Sequence, residues 1–459
     1  MDQRICSDHV SEPELKKIIE ASATTNLQCD YCDRKAPSIS AWELAEHFDK
    51  MFERFFVCTN GCEDEGWSPQ LDEYSEGESA RDVLGRVAGL TDDVADDVLE
   101  ALGEMWFDRD SMEHQYGVNP HFVENDKFDE PLSQAWRDME QSLKYEVRYG
   151  NPMVQSLLET VFGPIIDDRT NDCRDLVVVI GPSQAHRKLY RARVFTSLEV
   201  MEKALEFPER ELGPPPPGIG RAGRMNAKGI PVFYGAVDPE IAIAEVRPPV
   251  GSHVVMAMFE VARPLRLLDM EALITIDGEG SLFDAATYTR RERRDFLRKL
   301  VGKLVRPVIP EHEDESYLIT QAVADFLATH SKLALDGILF PSAQVDAKTR
   351  AQTDARNVVL FNKSSDVALP HREGSPFFDQ ETHFRMWDYD DDRLFLHPEL
   401  ITRDVKPKLQ LPSAIAWGHE RLGPALRLDR DEINIHQIRG VRYAYDTVPV
   451  NHVRVESKG

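Results

Sequence analysis

The chain changes texture once, at about Asp175, and that change limits its fold class more than any single motif. From about residue 80 to 162, apolar residues recur at spacings of three and four. DVADDVLEALGEMW and LSQAWRDMEQSLKYEV therefore read as amphipathic helices, with YGVNPHFVEND as a loop between them. From Asp175 onward the runs are short and β-rich: DLVVVI, KLYRARVF, PVFYG and VVMAMFEV, broken by Pro and Gly clusters. The expected fold class is α+β. ESYLITQAVADFLATH adds a helix with Leu318, Ala322, Phe326 and Leu327 on one face. DGILFPSA reads as a strand entering a turn, and INIHQIRGVRYAYDTV as a closing strand or hairpin.

Size and charge narrow the function. A chain of 459 residues predicts two or three units. A net charge of -26 argues against broad nucleic-acid binding, which needs clustered Lys and Arg. MDQRICSDHV has no apolar signal-peptide core, and no apolar run approaches the ~18 residues of a membrane span, so the expectation is a cytoplasmic protein without a membrane partner. The basic run TRRERRDFLRKLVGK reads as a solvated or partner-facing helix, and DYDDD as a solvated loop.

Six cysteines are too few for a disulfide scaffold, and their spacing points to metal. Cys6-x2-His9 and Cys29-x2-Cys32 are two close ligand pairs with the short helix LKKIIEA between them. Two such pairs fit tetrahedral zinc, and four protein ligands leave no open position, so the zinc is expected to be structural. Cys58-x3-Cys62 is a rival to the first pair.

The densest chemistry lies in Gly218–Pro248, GIGRAGRMNAKGIPVFYGAVDPEIAIAEVRP. Its glycine- and arginine-rich loop precedes a strand ending near Tyr234, then a helix carrying Glu245. Asp238-Pro239 is a good helix start, since Asp caps free amides and Pro suits the first helical position. The apolar neighbours of Glu245 predict a carboxylate partly out of water. A loop that can approach phosphates beside such an acid is the layout of a nucleotide-cleaving site, in which Tyr234 suits stacking or hydrogen bonding to a ribose. Arg191 and Arg193, two apart in KLYRARVF, share a strand face, and an inward Arg suits phosphate. Gly218-x-Gly220-x-x-Gly223 has the dinucleotide-fingerprint spacing, but it follows Pro214–Pro217 rather than a strand and precedes a strand rather than a helix.

These residues resemble the RES domain family, named for its Arg, Glu and Ser. The resemblance runs from about Lys188 to Phe361 and rests on KLYRARVF, GRMNAKGIPVFYGA, AEVRPPVGS and DGILFPSA. It implies a split-sheet, ADP-ribosyltransferase-like core that consumes NAD. The cleavage is either phosphorolysis, with inorganic phosphate as co-substrate, to nicotinamide and ADP-ribose 1''-phosphate, or hydrolysis; protein ADP-ribosylation is a related alternative. Arg191, Glu245 and Ser342 fall on the family positions, Tyr234 joins them as a catalytic candidate, and Arg224 and Asn226 stand near the substrate as binding candidates. Many RES proteins are toxins held by a helical antitoxin. The longer chain here makes internal regulation an alternative to a separate antitoxin, and self-association remains open.

Residues 5 to 165 more loosely resemble the HEPN/RES N-terminal domain, with His9 where a cysteine is usual. The expected organisation is a zinc-binding module at 1–65, a helical domain at 66–170 and a RES catalytic domain with a β extension at 171–459. Arg109 and His114 have the spacing of the HEPN ribonuclease motif, which supplies a rival function.

Overall fold

A computed structural model describes residues 3–22, 26–32, 34–59, 77–117, 119–125, 128, 130–305, 313–344, 353–369, 380–387, 397–404, 423–441 and 448. The chain forms two compact units: residues 1–138 with 275–299, and residues 139–274 with 300–459. Cys62 and the DYDDD segment lie outside the described residues. No helix among the described residues is long and apolar enough to cross a membrane.

The first unit is built around the helices α1 (Pro13–Ser22), α2 (Ala41–Phe55), α3 (Ala80–Ala88) and α4 (Asp92–Met105). Its best-defined helix, α2, begins with a reciprocal cap: Ser40 Oγ accepts from Glu43 N–H while the Glu43 side chain accepts from Ser40 N–H. Leu44, Phe48, Met51, Phe52 and Phe55 are almost wholly buried along it. One hydrophobic core runs from Ile5 to Phe128, so the cysteine-bearing segment and the helices after it share a single interior. The loop expected before the helix Glu130–Tyr145 holds a strand instead. His121–Glu124 pairs antiparallel with Phe56–Cys58, because Phe122 is pulled into an aromatic cluster with Phe52, Trp106 and Tyr116.

The basic helix also departs from expectation. Within Ala285–Val305, Arg293 is buried, and Arg291 bonds Glu124 at 2.7 Å while lying over the rings of Phe55 and Phe128. Paired and stacked, these guanidinium groups serve the interior of the first unit, not a solvated face.

The second unit carries an eight-stranded sheet among its described residues. Its strands are β1 (Val177–Ile180), β2 (Lys188–Phe195), β3 (Phe233–Ala236), β4 (His253–Val261), β5 (Leu265–Asp269), β6 (Gly337–Pro341), β7 (Arg356–Leu360) and β8 (Leu426–Gln437), in spatial order β8-β4-β2-β3-β7-β6-β5-β1. Only β5 and β6 run parallel. One face buries Leu189, Phe195, Phe233, Val255, Phe259, Val358 and Leu360. The other packs Ala192, Ala236 and Val254 against Ile241 and Ala242 of the helix α5 (Pro239–Glu245). The joint between β2 and β3 is narrow. β2 runs beside β4 from Lys188 to Phe195, yet it meets β3 at one register position, Tyr190 opposite Ala236.

Gly337 makes the centre of the sheet possible. A Cβ there would stand 2.2 Å from the Val359 carbonyl oxygen and 3.0 Å from Leu267 Cδ2, and the backbone oxygen is fixed by strand pairing. Gly337→Ala is expected to destabilise the protein by about 1–3 kcal/mol, the usual cost of overpacking. Denaturant unfolding followed on this unit would measure it, and an unchanged midpoint would refute the crowding.

Candidate active site

A cleft of about 140 Å³ opens where β2 and β3 part, lined by Tyr190, Arg191, Ala192, Tyr234, Gly235, Ala242, Glu245, Val246, Phe340, Asn357 and Val358. Gly235 allows the strands to come this close. A Cβ on it would meet Phe233 Cε1 at 2.5 Å and the Tyr190 carbonyl oxygen at 3.0 Å.

Arg191 reaches the cleft from β2. Its guanidinium lies over the Phe233 ring, 5.4 Å from the centroid, and Nη1 donates to the Tyr234 carbonyl at 3.4 Å. No carboxylate pairs with it among the described residues. Burial, then the nearby Arg193, pushes its pKa down to about 10, still well above neutrality. A desolvated cation without a counter-ion is suited to an anionic ligand. Arg193 differs: it bonds the Glu211 carbonyl at 2.6 Å and the Glu211 carboxylate at 3.0 Å, and so fastens the fold.

Glu245 faces the same cleft from the last residue of α5. The helix starts as its sequence predicts, with Asp238 Oδ1 accepting from Glu240 N–H at 2.8 Å and Ile241 N–H at 3.3 Å. Its burial does not follow the prediction. Ile241 and Ala242 take the face against the sheet, while Glu245, one turn later, is exposed. Glu245 Oε2 accepts from Asn357 Nδ2 at 3.1 Å.

Tyr234 lines the cleft with its ring, but its hydroxyl is occupied. It accepts from Met225 N–H at 3.0 Å and donates to Asn226 Oδ1 at 2.9 Å, and burial pushes its pKa up to about 12. Hydrogen bonding of this hydroxyl to a ribose is therefore replaced by a structural task. Asn226 is buried and gives Nδ2 to the carbonyls of Arg221, Ala227 and Ile230, which folds the glycine-rich loop onto Tyr234. Arg224 donates to the Leu304 carbonyl at 2.7 Å. Neither Arg224 nor Asn226 is among the residues lining this cleft. Ser342 is fully buried one residue past β6, where its hydroxyl accepts from Gln344 N–H at 3.2 Å in a turn. It too is outside the cleft lining. Among the lining residues that the sequence does not single out, Tyr190 stands in view beside Arg191, whereas Phe340 and Asn357 are hidden in runs that read as plain strand.

An antiparallel-dominated α+β unit with an arginine and a glutamate on one cleft defines a candidate enzyme for an anionic substrate. Residues 188–386 match the family model of the RES domain, so this stretch of the chain is a RES domain. No curated protein and no solved structure matches the chain.

In the first unit, the ligand atoms of Cys6, His9, Cys29 and Cys32 lie within 4.8 Å of one another. The Cys6 and Cys32 sulfurs are 3.6 Å apart. Two thiolates on one tetrahedral zinc stand ~3.7 Å apart, given Zn–S bonds of about 2.3 Å. His9 Nε2 is buried without a hydrogen-bond partner among the described residues, and a metal would supply one. The donor set thus fits a closed, structural zinc. Cys58 lies elsewhere, with its sulfur near the Tyr116 carbonyl at 3.7 Å. Arg109 and His114 are exposed around a small hairpin in which Phe107 pairs with His114.

Protein purified without chelators is expected to carry one zinc per chain. Cys29→Ser should lose the metal and lower the melting temperature, while Cys58→Ser should keep it. Elemental analysis of the three proteins decides, and a metal-free wild type would remove the site.

Proposed function

We propose that the RES domain cleaves NAD at the nicotinamide–ribose bond and acts as a toxin or defence effector that drains the dinucleotide. The observation that supports this best is a single cleft presenting both a carboxylate held by an amide and an arginine with no carboxylate partner. At about 140 Å³ the cavity is smaller than the roughly 300–1,000 Å³ of pockets that enclose a whole drug-sized ligand. It suits the nicotinamide–ribose end of the substrate, with the remainder outside.

The chemistry asks little of a general acid. As the C1′–N bond breaks, its electron pair passes to the pyridinium nitrogen, and nicotinamide leaves neutral. Positive charge grows on the sugar carbon, where Glu245 stabilises the transition state more than the substrate. Arg191 is proposed to hold either the pyrophosphate or an attacking inorganic phosphate, whose oxygen forms the new bond to the sugar carbon. Tyr190, Tyr234 and Phe340 supply aromatic surface for the departing ring.

Glu245→Gln keeps volume and removes charge, and an exposed residue tolerates the change. NAD turnover should fall by ~100- to 1,000-fold, as when one electrostatic contact to the transition state is lost. The melting temperature should not move. Near-normal turnover by the folded variant would refute the mechanism.

A second measurement addresses the acceptor. If phosphate is the co-substrate, turnover rises with phosphate and the product is ADP-ribose 1''-phosphate; free ADP-ribose at a phosphate-independent rate means hydrolysis. Arg191→Lys should be costly in either case, because an ammonium cannot reproduce the planar two-point grip of guanidinium.

A further inference from the structure

Glu245 ends a short helix and is exposed, so its own helix does not fix where the carboxylate points. Asn357 is its opposite in every respect. It is 4% exposed and lies in β7, between β3 and β6, with Ala236 on one side and Phe340 on the other. Its backbone has no freedom to shift without breaking two strand pairings.

The orientation of its amide is set by chemistry. A carboxylate only accepts, so Nδ2 must be the atom facing Glu245 Oε2, 3.1 Å away. That choice turns Oδ1 inward, where it is buried and finds no partner among the described residues. An unpaired buried carbonyl oxygen opposes folding. A leucine would fill the same place without that penalty, so fold stability does not account for an amide here. The compensating benefit must lie at the Nδ2 end.

We propose that Asn357 is the positioning residue of Glu245: an amide locked in the centre of the sheet holds an otherwise mobile carboxylate at one point on the cleft wall. The inference rests on the reading of Glu245 as the catalytic carboxylate. It also explains how a residue exposed at a helix end can be ordered enough to face a developing charge, since misplacement of about 1 Å is enough to lose much of the rate.

The test begins with Asn357→Leu. Its kcat for NAD should fall roughly 10- to 100-fold with KM little changed, and its melting temperature should hold or rise. In the double variant with Glu245→Gln, the Leu substitution should cost nothing further, because the carboxylate it would misplace is already gone. A wild-type kcat in Asn357→Leu, or losses that multiply in the double variant, would overturn the proposal. Should Asn357→Leu not fold, Asn357→Asp serves in its place, with the same shape and no donor, and the same loss of kcat is expected. An arm without NAD separates this idea from the catalytic reading. In protein labelled at asparagine nitrogen, the Asn357 side-chain amide resonance, assigned by its absence in the Leu variant, should shift in Glu245→Gln. An unmoved resonance overturns the anchor. A shifted resonance in a wild type inert toward NAD leaves the anchor standing and sinks the catalysis.

Discussion

The candidate site depends on a single joint in the large sheet. Every other neighbouring pair of strands shares several register positions, but β2 and β3 share only Tyr190 with Ala236. Strands that stop pairing leave backbone groups and side chains facing a gap. Here the Tyr234 carbonyl receives the Arg191 guanidinium, so a strand end and a cation satisfy each other across the opening. Gly235 sits at the joint for the same reason, since a side chain there would collide with Phe233 and with the Tyr190 carbonyl. The cleft is thus a consequence of how far two strands pair.

The charges on the cleft come from elements of different rigidity. Arg191 is carried by a long strand paired along its whole length to β4, and its guanidinium is packed against Phe233. Glu245 is carried by a seven-residue helix that begins with a well-made cap and ends at the site. The positive group is fixed by packing and the negative one only by a hydrogen bond.

What could be read from sequence follows how local each cause is. The Asp238-Pro239 helix start, the Cys and His spacing and the change of texture at Asp175 depend on neighbours in the chain, and the structure shows the cap, the four-ligand cluster and the α+β fold accordingly. Asn357 was missed because NVVLF reads as plain strand, and its partner is 112 positions away. Arg224, Asn226 and Ser342 were placed near substrate because they are polar residues in the matching loop and turn. The structure shows hydrogen bonds from them to the Leu304 carbonyl, to the loop carbonyls and with Gln344 N–H, none of which local spacing reveals. The helix expected to be solvated or partner-facing at TRRERRDFLRKLVGK exposes Arg298, Lys299 and Lys303, but local charge does not reveal that Arg291 meets a distant Glu124 and two phenylalanine rings. Helix α2 was overlooked although its signal was present, in Ser40 and Glu43 before the apolar spacing of Leu44, Phe48 and Met51.

Residues 275–299 fall inside the stretch that matches the RES domain, yet they belong to the first compact unit. Phe283 packs edge-on against Phe48, and Tyr288 against Phe55 and Phe128, so this segment completes the core that also encloses the cysteine cluster's strand and helix. A cut after the N-terminal helices would therefore not release an intact first unit; it would strip aromatic surface from its interior. Conversely, a fragment confined to the RES match would carry those aromatic residues without the core they fill. Such exposed groups favour association and misfolding. The two units are thus interleaved in sequence, with residues 275–299 of the first lying between residues 139–274 and 300–459 of the second.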